Sequence, residues 1–139
     1  MRCKTNNSVG TAPNRNIRYS RQREIIFNYL CGTKEHPSAE MIYEVLKVEN
    51  PNLSLGTVYR NLKLLEEMDK IQRVTTVDNS ERYDACCESH AHFVCENCGR
   101  VTDLSVINVK DAEGLCNVEN AKKISKVSIV FTGTCEECI

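Results

Sequence analysis

Nine cysteines and three histidines in 139 residues carry the metal chemistry of this chain. Four of the cysteines form two CxxC pairs, Cys95-Glu96-Asn97-Cys98 and Cys135-Glu136-Glu137-Cys138. Each pair presents two sulfurs from one tight turn, and together they supply the four thiolates of a closed tetrahedral zinc site. Gly99 permits the turn after the first pair. Zinc held by four sulfurs has no open position, so its expected role is structural. In a reducing compartment thiols grouped this way hold metal, and the odd cysteine count argues against a fully paired disulfide framework.

His90 and His92 lie five and three residues before the first knuckle, spaced i, i+2, so on a strand both rings project from one face. Four sulfurs already saturate the zinc. Asp84 on the preceding segment and Asp103 five residues past the knuckle are hard oxygen donors that can join the two imidazoles. The third histidine, His36, sits in a loop, where a lone histidine ordinarily faces solvent. Cys86 is i+2 from Asp84, on the same face if the strand continues. A thiolate there with His90 and His92 would suit zinc.

The elements that must position these residues change character near residue 84. Ser20 caps a helix through about Leu30, with Ile25, Ile26, Tyr29 and Leu30 as one apolar stripe and Gly32 as the stop. Ser38 caps a second, with Ala39, Ile42, Val45 and Leu46 inward, broken at Pro51. Ser54 starts a third, SLGTVYRNLKLLEEM. There Leu55, Val58, Leu62 and Leu65 face the core and Thr57, Tyr59, Arg60 and Lys63 point away. KIQRVTTV and ERYDA, joined by Asp78-Asn79-Ser80, read as a hairpin. Three helices and a hairpin is the order of a winged helix-turn-helix, whose third helix enters the major groove.

After Asp84, HFVC, RVTDL and KVSIVFTGT read as strands, with SVINVKDAEGLC as a helix between them and Val127, Ile129 and Phe131 on one face. The expected architecture is α+β: a winged-helix DNA-binding domain over residues 1–83 and a small α/β domain over 84–139 that carries the zinc. The net charge of −1 divides the same way, +3 over residues 1–83 and −4 over residues 84–139. The first 23 residues hold Arg2, Lys4, Arg15, Arg18, Arg21 and Arg23 with no acid, a basic arm suited to a phosphate backbone. No apolar run reaches membrane-spanning length and the start lacks a secretory signal, so a cytoplasmic location and no membrane partner are expected.

GTVYRNLKLLEE, ERYDA, HAHFVCENCGRVTDL and the terminal CEEC together resemble the ferric uptake regulator superfamily, from about Arg15 to Cys138, and within it the peroxide-sensing branch most. The resemblance implies a homodimeric, metal-dependent repressor on a palindromic DNA operator, with residues 84–139 as the dimerisation domain. It assigns structural zinc to Cys95, Cys98, Cys135 and Cys138, and a regulatory Fe(II) or Mn(II) to His36, Asp84, His90, His92 and Asp103. Oxidation of His36 or His90 by peroxide at bound iron would end repression. DNA contacts fall to Arg15, Arg18, Arg21, Ser54, Thr57, Tyr59, Arg60 and Lys63.

The chain departs from the family at two points. No histidine follows His92, so the further histidine-rich site of iron-sensing members cannot form in its usual composition. Arg60 stands where peroxide sensors can carry Asn. An iron or zinc sensor without peroxide chemistry is the alternative within the family. Outside it, zinc deaminases require a Glu two residues after the ligand histidine and a Pro before the CxxC, where this chain has His92 and Val94. A redox dithiol would need a CxxC free of zinc. The chain is therefore expected not to be an enzyme.

Overall fold

A computed structural model describes residues 17–86, 90–106, 114 and 127–139. The arm through residue 16, with Arg2, Cys3, Lys4 and Arg15, lies outside the described residues, as do Cys87 and Cys116. The chain divides into two compact units, one within Met1–Val74 and Glu81–Cys87, the other within Thr75–Ser80 and Glu88–Ile139.

The first unit is built on three helices, α1 (Arg21–Gly32), α2 (Ala39–Leu46) and α3 (Leu55–Glu67). Each begins with a serine whose hydroxyl accepts from the backbone three residues on: Ser20 from Arg23, Ser38 from Met41 and Ser54 from Thr57, at 3.2–3.4 Å. Leu53 just before the α3 cap and Val58 one turn in are both buried in the same cluster, the pairing that fixes how the chain enters a helix. Ile26, Leu30, Ala39, Ile42, Val58, Leu62 and Leu65 form the core between the helices, joined by Ile71 and Tyr83. Strands β1 (Gln72–Thr75) and β2 (Glu81–Asp84) pair as the expected hairpin, completing the winged-helix order. Asn79 takes the left-handed conformation (φ 61°) in its turn.

Two local expectations fail in α2. Val45 is 51% exposed; at about 100° per residue it falls some 60° outside Ile42, off the edge of the stripe made by Ala39, Ile42 and Leu46. The stop is not Pro51. The helix ends at Leu46, with Lys47 as its cap donating N–H to the Tyr43 carbonyl at 2.9 Å, and the Asn50 backbone and side-chain N–H groups satisfy the Leu46 carbonyl at 3.1 and 2.9 Å.

In the second unit β3 (His90–Cys95) lies between β4 (Val101–Val106), antiparallel, and β5 (Ile129–Gly133), parallel. Ala91, Val94, Cys95 and Val101 are buried. The strand after the first knuckle runs on through Ser105 and Val106, into the start of the expected 105–116 helix. The rest of that segment, Gly114 aside, lies outside the described residues. Val127 precedes β5, and on that strand Ile129 is half-buried while Phe131 is exposed.

Candidate metal centre

The two knuckles close on each other at the end of β3. Gly99 (φ 70°) turns the chain so that its N–H donates to the Cys95 carbonyl at 3.0 Å, and Cys138 N–H reaches the Cys135 carbonyl at 2.9 Å. Glu96 N–H donates to Gly133 O at 2.8 Å, which fastens the first knuckle to the end of β5. The four sulfurs of Cys95, Cys98, Cys135 and Cys138 lie within 4.8 Å of one another, and Cys98 Sγ is 3.8 Å from Cys135 Sγ. A tetrahedron with Zn–S bonds of about 2.3 Å has S···S edges of about 3.8 Å, so this set fits zinc.

Its electrostatics are those of a thiolate nest. Backbone N–H groups of Cys98 and Cys135 draw the Cys95 thiol down to about 6, whereas hydrogen bonding to the Cys135 and Cys98 sulfurs pushes Cys138 up to about 12. Arg100 grips Glu137 with both terminal guanidinium nitrogens, Nη1 and Nη2, at 2.7 and 2.5 Å, tying the end of the first knuckle to the second.

On β3 the i, i+2 spacing puts the buried His90 and His92 rings together, centroids 4.4 Å apart, despite a register shift between them. Asp103 is the cross-strand partner of His92 on β4. Its Oδ1 lies 3.0 Å from His90 Nε2 and 3.4 Å from His92 Nε2. Two imidazoles and a carboxylate from one sheet are a sulfur-free nitrogen and oxygen donor group, distinct in chemistry from the sulfur site.

The other expected ligands, His36 and Asp84, group with the first unit. His36 is buried and left-handed (φ 50°) immediately before Pro37, a conformation disfavoured for a residue with a Cβ and again by the following proline. The loop is held by Tyr83 N–H donating to Pro37 O at 3.1 Å and by the Ser38 cap. Asp84 Oδ2 stands 3.6 Å from His36 Nε2, beyond hydrogen-bond length. Asp84 Oδ1 accepts from Cys86 N–H at 2.8 Å, and Oδ2 from the Gln72 amide at 3.2 Å.

This corrects the reading of Cys86. Strand β2 ends at Asp84, so the i+2 argument does not carry to residue 86. Its backbone serves the site instead: the N–H holds Asp84, and the carbonyl accepts from Gln72 at 2.8 Å. Sequence reasoning missed Gln72, since nothing in IQRV marks a glutamine as the partner of a carboxylate twelve residues away.

Along α3, Tyr59, Arg60 and Lys63 are exposed and Thr57 is half-buried. Ser54 Oγ, besides capping the helix, lies 2.8 Å from Thr57 Oγ1, which accepts from Arg60 Nη2 at 3.0 Å. The Tyr59 hydroxyl donates to the Glu40 carboxylate on α2. Arg18 and Arg21 are exposed just before and at the start of α1.

The family model "Ferric uptake regulator family" matches residues 14–132. The chain is 34% identical over 122 residues to the peroxide operon regulator of Bacillus subtilis (strain 168), covering 88% of this chain and 84% of that one. It is 30% identical over 131 residues to the peroxide-responsive repressor PerR of Staphylococcus aureus (strain Mu50), covering 94% and 88%. Among solved structures, the Campylobacter jejuni peroxide stress regulator superposes with a TM-score of 0.73 at 29% identity over 84% of this chain and 88% of that one. The Helicobacter pylori ferric uptake regulator, described with three functional metal binding sites, gives 0.74 at 27% identity over 88% and 82%.

Proposed function

The chain belongs to the ferric uptake regulator family, and from that premise we propose that it is a homodimeric transcriptional repressor which senses peroxide through a ligand histidine. It is a metal-dependent regulator and not an enzyme. The observation that carries the finer reading is the segregation of donors: all four knuckle sulfurs are gathered in one site, while His90, His92 and Asp103 form a separate sulfur-free group. Relatives named for peroxide response support it.

In this reading the cysteine set holds zinc structurally. His90, His92 and Asp103 from the second unit and His36 and Asp84 from the first hold one regulatory Fe(II) or Mn(II). Five nitrogen and oxygen donors would suit Fe(II) or Mn(II), the weakly binding end of the divalent series. Fe(II) held there would activate peroxide, whereas Mn(II) would not. The net change would be insertion of one peroxide oxygen into a ring C–H of His36 or His90, with the two electrons drawn from that bond and the other oxygen leaving as water. The oxidised ring would be a poor donor, and the metal link between the units would be lost.

Ligands drawn from both units make metal binding favour one arrangement of the DNA-binding units in the dimer. Such coupling is typically ~1–3 kcal/mol, enough to change occupancy of a palindromic operator ~5–150-fold. The α3 face of Ser54, Thr57, Tyr59, Arg60 and Lys63 reads the groove, while Arg15, Arg18 and Arg21 add attraction to phosphate.

The test is a gel shift on operator DNA selected from genomic fragments, with Fe(II) or Mn(II), before and after low peroxide. The Fe(II) complex should release DNA and a peptide with His36 or His90 should gain one oxygen; the Mn(II) complex should do neither. Release with both histidines intact would replace this reading with an iron or zinc sensor lacking peroxide chemistry.

A further inference from the structure

Asp84 is held from both sides, and one of the holding groups comes from a different strand. Gln72 is the first residue of β1, and its side-chain nitrogen donates to Asp84 Oδ2 at 3.2 Å and to the Cys86 carbonyl at 2.8 Å. Both partners can only accept, so the amide must present its NH2 to them, and its orientation is set by chemistry. Cys86 N–H closes the ring at Asp84 Oδ1, 2.8 Å away. Each carboxylate oxygen of a buried aspartate thus receives one N–H, and rotation of the group is blocked. The same amide pins the chain two residues past the end of β2.

We propose that Gln72 is a positioning residue for the regulatory metal, acting through Asp84, and that what it contributes is N–H donation rather than packing. This rests on the assignment of Asp84 as a ligand. A hydrogen bond to a ligating carboxylate fixes the direction of the remaining lone pairs and tempers the negative charge; loss of such an outer partner typically weakens metal binding ~10–100-fold. A longer donor can replace the amide in kind, because only an N–H directed at Oδ2 is required. Methionine matches the size of glutamine and has no donor.

The experiment titrates Mn(II) into the zinc-loaded full chain and follows free Mn(II) by electron paramagnetic resonance. Gln72→Met should weaken binding ~10-fold or more, and Gln72→Lys should stay within about threefold of wild type. In an Asp84→Ala background the Gln72→Met change should add nothing, because its effect passes through that carboxylate. The zinc content and the melting curve of zinc-loaded, Mn(II)-free Gln72→Met should match wild type. If Met and Lys weaken binding equally, or if the Met effect persists without Asp84, the residue acts by packing and the inference fails. If Asp84→Ala binds Mn(II) as wild type does, the ligand assignment itself is wrong. If Asp84→Ala loses Mn(II) while Gln72→Met retains it, only the role of Gln72 is refuted.

Discussion

Replacing Cys138 with Ser removes one thiolate from the zinc set while leaving every residue of the sheet in place. Among the described residues the apolar side chains buried in the second unit are Ala91, Val94 and Val101, with Cys95 beside them. At ~1.5–3 kcal/mol per buried valine and less for alanine, these contribute no more than about 7 kcal/mol. A structural zinc contributes ~10–16 kcal/mol, so the ion outweighs that small core. Shared equally among four ligands, one sulfur accounts for about 2.5–4 kcal/mol, a weakening of ~10²–10³-fold. Competition against a chromophoric zinc chelator should show that loss. Hydrogen exchange should then show β3, β4 and β5 losing protection while α1 to α3, whose core is separate, keep theirs. A Cys138→Ser chain that holds zinc within about threefold of wild type, with its strands still protected, would refute the four-sulfur assignment.

Zinc affinity should fall with acidity, and the sign follows from the thiols. Cys95, drawn down to about 6, enters as thiolate at neutral pH, whereas Cys138, pushed up to about 12, must release its proton to bind. At least one proton per zinc should therefore appear at pH 7, with affinity dropping at least ~10-fold per pH unit and more steeply below pH 6; pH-stat titration counts the protons. Neutralising Arg18 and Arg21 should weaken binding to all DNA alike and flatten its salt dependence by about one unit of slope per lost phosphate contact, measured by fluorescence anisotropy. Replacing His36 with Asn, which tolerates the left-handed backbone (φ 50°) at this position, should leave Mn(II) bound but remove the ~5–150-fold metal dependence of operator affinity. Retained dependence would show that His36 does not couple the units.

What the sequence determined by itself is what neighbours along the chain decide. Ser20, Ser38 and Ser54 each cap a helix through a donor three residues on, and the apolar spacing of α3 places Val58, Leu62 and Leu65 inward. The CxxC turns and the shared face of His90 and His92 follow from the same short-range geometry. Tertiary structure decided what spacing cannot reach. Val45 faces out because the inward stripe of a short helix is narrow, and that helix stops at Leu46, ahead of Pro51. His36 is buried and left-handed because a strand some 45 residues later anchors its loop, through Tyr83 N–H on the Pro37 carbonyl. Cys86 offers Asp84 its backbone because β2 stops before it, and Gln72 meets Asp84 only through hairpin register. Caps and knuckles are satisfied within a few residues, so their chemistry is written locally; a carboxylate's partners are whatever donors the fold brings within about 3 Å, and those come from anywhere in the chain.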